Sequence, residues 1–200
     1  MCKKLLLGLI IYTISTVFVT HAQAATYDFQ KGNITSIRDT QKITNPENYH
    51  YVFSFLGKGQ ETINYHDFDL INYVPNMQVV LMIPDSEKNT KFRPGMVLIN
   101  PYLLPTQEPL PFGFPYGVNG AVYIWNDENS FYNKEIMQNF IVGPTFAEGL
   151  TAGNYKIAVF DPSGVGGRYI LKVGAQDSPR SLTDLFHLVW VIFRTKLNIY

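Results

Sequence analysis

The run His66-Asp67-Phe68-Asp69 gathers an imidazole and two carboxylates within four residues, the groups that ligate metals or exchange protons. On a strand, however, side chains alternate, so Asp67 and Asp69 share one face and His66 points to the other. Two carboxylates on a solvated strand face are the plainer reading, and no metal is expected. A hydrolase or metal-dependent enzyme would have to combine Asp67 and Asp69 with His66 or with His50, which sits between Tyr49 and Tyr51. Asn126-Asp127-Glu128-Asn129 offers oxygens suited to calcium but lacks the D-x-[DN]-x-[DN]-G spacing, and reads as a polar turn. No serine stands in a G-x-S-x-G context. Gly164-Val165-Gly166-Gly167 lies between two strand patterns rather than opening a helix, so it lacks the donor geometry of a phosphate loop. Paired carboxylates for glycoside hydrolysis are defined by a separation in space, and nothing in the chain selects them. The expectation is a non-catalytic protein without a cofactor.

The elements that would position these residues begin after a leader. Residues 1–24 carry Lys3 and Lys4, an apolar run over 5–19 and Ala22-Gln23-Ala24 as an A-x-A site, the pattern of a cleaved secretory signal peptide. The apolar run is short for a membrane span, which needs about 20 residues. Removing Lys3 and Lys4 leaves 14 basic against 16 acidic residues, so the exported chain has no basic excess with which to neutralise phosphates. Nucleic acid is therefore excluded as the expected partner. The single cysteine, Cys2, leaves with the leader, which removes any disulfide, thiol nucleophile or thiolate metal site. An exported location, periplasmic or extracellular, follows.

The domain expected over 25–178 is an antiparallel β-sandwich, jelly-roll-like, built from short alternating strands. Residues 49–56 alternate aromatic and smaller side chains; 77–83 are apolar on both faces and read as a central strand. In 154–160, Tyr155, Ile157 and Val159 share one face, as do Tyr169, Leu171 and Val173 in 168–173. Between them Asp161-Pro162-Ser163-Gly164 and Gly166-Gly167 supply turn chemistry, so the two strands are expected to pair as a hairpin. The segment 136–142 is apolar but of undecided type.

The run Leu150-Thr151-Ala152-Gly153-Asn154-Tyr155, followed by Gly167-Arg168-Tyr169-Ile170-Leu171, resembles the closing hairpin of bacterial pre-peptidase C-terminal (PPC-type) domains. Residues 49–56 and 77–83 resemble that family's opening strands, so the likeness covers about 49–174. It implies a secreted β-sandwich that accompanies enzymes or stands on surfaces as a non-catalytic module. The proline-rich stretch 101–115 departs from the family pattern, and no ligand is carried over.

Five prolines in 101–115 forbid a central strand or a helix there. Tyr102, Phe112, Phe114 and Tyr116 on this ordered loop form the candidate ligand site, flat rings suited to a carbohydrate or a peptide. The alternative is that they complete the core beneath the loop. The tail is different: Ser181-Leu182-Thr183-Asp184 reads as a capping box opening an apolar helix over 181–197. Its length, about 22 Å, falls short of a hydrocarbon core of about 30 Å. Leu185, Phe186, Leu188, Val189, Trp190, Ile192 and Phe193 are the residues expected to meet a membrane surface or another envelope protein, or to pack on the sandwich itself. The leading reading is thus a binding or scaffolding module of the cell envelope. An envelope hydrolase and a subunit of a larger envelope assembly are the alternatives.

Overall fold

The computed structural model describes residues 23–30, 36, 38–59, 62–87, 90–103, 112, 119–125, 128–179 and 182–197. Residues 1–22, on which most of the expected leader falls, lie outside the described residues. Among the described residues, thirteen strands and one α-helix follow one another. They are β1 (Gln23–Ala24), β2 (Thr26–Phe29), β3 (Gln41–Ile43), β4 (His50–Leu56), β5 (Ile63–Leu70), β6 (Val74–Pro84) and β7 (Gly95–Ile99). Then come β8 (Gly120–Tyr123), β9 (Asn129–Asn133), β10 (Gln138–Leu150), β11 (Gly153–Phe160), β12 (Gly167–Gly174), β13 (Ser178–Pro179) and helix α1 (Leu182–Lys196). The apolar segment 136–142 thus leads into a long strand, β10. That strand runs through Gly143-Pro144 with a register shift between Val142 and Thr145, where Trp125 lies close over Gly143.

Two sheets face each other. One has the order β2-β4-β12-β6-β10-β9, the other β3-β5-β11-β7-β8, and among the described residues β1 pairs with β13 alone. The expected all-β sandwich is present, with two departures from uniform antiparallel pairing. The edge strands β2 and β3 run parallel to β4 and β5. The strand 77–83 is central as expected, lying within β6 between β12 and β10. Its side chains Val79, Leu81 and Ile83 enter the core between the sheets, while Val80 and Met82 enter a second cluster on the sheet's outer face.

The expected hairpin is corrected. β11 and β12 exist where the alternation places them, but they belong to different sheets: β11 pairs with β5 and β7, β12 with β4 and β6. The connection is an arch, not a hairpin. A second arch, β4 to β5, lies beside it, and Gly59 N–H donates to Gly164 C=O across the two turns at 2.9 Å. The physical reason is burial on both faces of each strand. Ile157 and Val159 fill the inner core while Ala158 and Phe160 belong to the outer cluster of their sheet. A strand covered on both faces is most stable with a neighbour on each side. The Asp161 carboxylate fixes the arch, accepting from Ser163 N–H (2.9 Å), Ser163 Oγ–H (2.7 Å) and Gly166 N–H (2.8 Å).

Candidate functional site

Strand β5 sends His66 inward and Asp67 and Asp69 outward, as period-two alternation requires. Asp69 accepts from Lys42 Nζ at 2.6 Å and Asn154 Nδ2 at 2.7 Å. The Asn154 hydrogen bond, then that of Lys42, holds its carboxyl below the usual range. Asp67 accepts from the Thr40 hydroxyl. His66 is wholly buried between the sheets, with Nε2 3.0 Å from the Tyr169 hydroxyl. Asn64 Nδ2 also reaches that hydroxyl at 3.0 Å, along with Ser54 Oγ at 3.2 Å and Phe55 C=O at 2.9 Å. Burial pushes the His66 imidazole down to about 3, so it is neutral in the folded protein. The imidazole and the two carboxylates therefore do not converge on one face, and the catalytic combination of His66 with Asp67 and Asp69 does not assemble. Among the described residues no group of three or more His, Cys, Asp or Glu side chains could hold a metal. His50 lies on the inner face of β4, 4% exposed, away from β5's outward carboxylates.

The proline-rich loop leaves the sheet at a pinned stem. Asn100 N–H donates to Asn119 C=O at 3.0 Å, and the buried Asn100 side chain donates to Asn154 C=O at 2.8 Å while accepting from Tyr102 N–H at 2.8 Å. Two of the four candidate rings fall within the described residues, and they part company. Phe112 packs edge-on against Phe160 and Tyr65, with centroids 5.8 and 6.5 Å away, and joins the outer cluster of the five-stranded sheet. Tyr102 is 81% exposed. Phe114 and Tyr116, like Asn126 and Asp127 of the candidate calcium turn, lie outside the described residues. Phe112 is partly buried against this cluster, and Phe112→Ala should cost about 2 kcal/mol in urea unfolding, from lost apolar burial and two edge-on ring contacts.

Helix α1 lies on the outer face of the six-stranded sheet. Val191 and Thr195 are fully buried there, and Leu188 and Ile192 pack on a cluster that includes Tyr27, Phe53 and Phe140. The spacing 188, 191, 192, 195 is one helical stripe. Its end is fastened by Lys196 Nζ donating to Met137 C=O at 2.5 Å and by Arg194 stacking on Phe29 at 4.0 Å. A second stripe, Phe186, Val189, Trp190, Phe193 and Leu197, faces solvent at 79, 62, 53, 53 and 52% exposure. Trp190 and Phe193 stack with centroids 5.9 Å apart. Of the seven helix residues expected to meet a membrane or a partner, Leu188 and Ile192 turn toward the sandwich, and Phe186, Val189, Trp190 and Phe193 face outward. The side chain of Leu185 lies outside the described residues. Sequence pattern showed an all-apolar helix; the division into two stripes needs the docking that only the fold supplies. Among the described residues, no helix is long and apolar enough to cross a membrane.

No protein-family model matches the chain, and no curated protein matches it. Among solved structures, the chain is similar at 10% identity to CorA, described as a surface-associated copper-binding protein important in copper acquisition by Methylomicrobium album BG8. That match covers 76% of this chain and 99% of the other, with a TM-score of 0.24. A likeness of that strength carries no functional argument.

Proposed function

We propose that this chain is an exported, non-catalytic β-sandwich that binds or scaffolds in the cell envelope, held at a membrane surface by the outward stripe of helix α1. One observation carries the reading: a helix already docked by one stripe presents four large apolar side chains on the other, continued by Leu197 just past its end. Exposed contiguous apolar surface of this kind marks an interaction site, and Trp with Phe at a helix surface suits the headgroup region. The resemblance to PPC-type domains agrees with a module that accompanies other envelope components. A second reading, a subunit of a larger assembly, is favoured by the basic residues of the helix. Arg194 stacks on Phe29 and Lys196 donates to the Met137 carbonyl, so both cations of the last turn are engaged by the protein itself.

Membrane fractionation of the full-length protein tests the reading against Trp190→Glu/Phe193→Glu. Both positions are about half exposed, so folding should be retained. The expected result is that the unsubstituted protein pellets with membranes and is released by detergent, while the double variant stays soluble. If neither form pellets, the membrane reading fails. If the unsubstituted form then associates with itself or with another envelope protein in a way the double variant does not, the assembly reading replaces it.

A further inference from the structure

An edge strand offers a row of backbone N–H and C=O groups to any chain that can pair with it, and charges along the strand are a common guard against that. Among the edge strands of the two sheets, β2 carries Asp28, β3 carries Lys42, and β8 is buried or half-buried along its length. The fourth, β9, differs. Among the described residues it pairs with β10 alone, and it reads Asn129-Ser130-Phe131-Tyr132-Asn133, with neither a charge nor a proline. Four of its five residues are exposed, Phe131 at 36% and Tyr132 at 52% among them. Successive side chains alternate, so both faces of this strand reach solvent. The residues that flank it are Glu128 and Lys134, both exposed.

We propose that β9 pairs antiparallel with β9 of a second copy of this chain, about a twofold axis through Phe131. The strand is complementary to itself in that register. Phe131 stands opposite its counterpart, Asn129 opposite the second copy's Asn133, and Ser130 opposite the second copy's Tyr132. Glu128 then faces the second copy's Lys134 at one end, and Lys134 faces the second copy's Glu128 at the other, unlike charges each time. Axes through Ser130 or Tyr132 would set Glu128 opposite Tyr132 or Ile136 instead and lose both pairs. Glu128 also takes Arg93 at 2.6 Å, with 47% of its side chain exposed, so its carboxylate has room for a second cation. Phe131 sits beside Phe140 of β10, a member of the cluster that helix α1 joins, and so lies on the helix-bearing face. The twofold axis stands perpendicular to the sheet, which keeps that face, and both copies of α1, on one side. The pairing does not rest on the membrane reading; combined with it, the dimer turns two outward stripes toward one membrane surface.

Sedimentation of the full-length protein carrying Trp190→Glu/Phe193→Glu tests the pairing with the helix stripe removed. A strand edge of five residues makes a weak dimer, so half-association is expected at a concentration on the order of 100 μM. In this background Glu128→Lys and Lys134→Glu should each weaken the dimer at least about 5-fold, because like charges then stand opposite at both ends. Mixed in equal amounts, the two charge variants should recover the lost association, since each meets the opposite charge in the other. Both positions are exposed, so the Tm of each variant should be unchanged. Absence of a dimer up to about 500 μM, an association that neither charge reversal weakens, or a mixture that stays monomeric overturns the proposal. None of these outcomes bears on whether the unsubstituted helix pellets with membranes.

Discussion

Asp161→Ala should lower stability by about 3 kcal/mol, seen as a reduced urea midpoint with an unchanged slope and a Tm drop of about 10 °C. The carboxylate is fully buried at the β11–β12 arch and accepts three hydrogen bonds, two of them from backbone N–H groups of Ser163 and Gly166. Alanine leaves those two donors without their acceptor in a site where water does not replace it, and each costs about 1–3 kcal/mol. Ser163→Ala, which deletes only the hydroxyl bond, should cost about 1 kcal/mol. Gly166→Ala gives an independent check of the same arch. Gly166 has φ 69°, and a Cβ there would sit 2.7 Å from the carbonyl oxygens of Leu56 and Gly57 in the neighbouring arch. Its loss should equal or exceed that of Asp161→Ala, because backbone on the other side cannot move aside. A loss below about 1 kcal/mol in both variants would mean that the arch is not held as described.

Acidification should destabilise the protein through His66, and His66→Gln should remove that component. In the unfolded chain the imidazole titrates near 6.5; in the folded protein burial holds it to about 3. Between these values the unfolded state binds a proton that the folded state does not. The stabilisation is therefore fully present above about pH 6.5 and is lost as pH falls toward 3. From pH 7.5 to 5.0 the linkage amounts to about 2 kcal/mol, or roughly 30-fold in the folding equilibrium. The glutamine side chain would keep a polar partner for Tyr169 without titrating. Urea unfolding at both pH values reads the difference directly: the unsubstituted protein should lose about 2 kcal/mol more than His66→Gln over this interval. Equal losses would place the imidazole in contact with water rather than between the sheets.

Strand positions were largely legible in the chain because side-chain period is local. Tyr155, Ile157 and Val159, or Tyr169, Leu171 and Val173, mark a buried face whatever lies alongside. The same alternation separated His66 from Asp67 and Asp69, and the structure keeps them on opposite faces of β5. What alternation omits is the neighbour. The turn residues of 161–167 suit an arch as well as a hairpin, and the partner of β11 is chosen by burial on its second face, where Ala158 and Phe160 meet Phe112 and Val122. The loop rings show the same limit. Aromatic residues between prolines are equally consistent with a ligand platform and with a lid, and the edge-on packing of Phe112 on Phe160 and Tyr65 could not be read from the chain.

Local periodicity and capping chemistry were enough to specify the all-β class, the central place of 77–83 and the start of a helix at Leu182. Three things came only with the assembled fold: the sheet to which each strand belongs, the stripe of α1 that faces solvent, and the approach of Asp28 to His50 at 3.6 Å. Those two residues stand on β2 and β4, and no spacing rule links them. Parallel pairing of β2 with β4 sets Thr26 beside His50 and Asp28 beside Val52, two residues on and therefore on the same face. Facing sheets then bring the edge strand β3 across from them. Long-range pairing is decided by how much apolar surface the whole fold buries, a property that no single stretch of the chain carries.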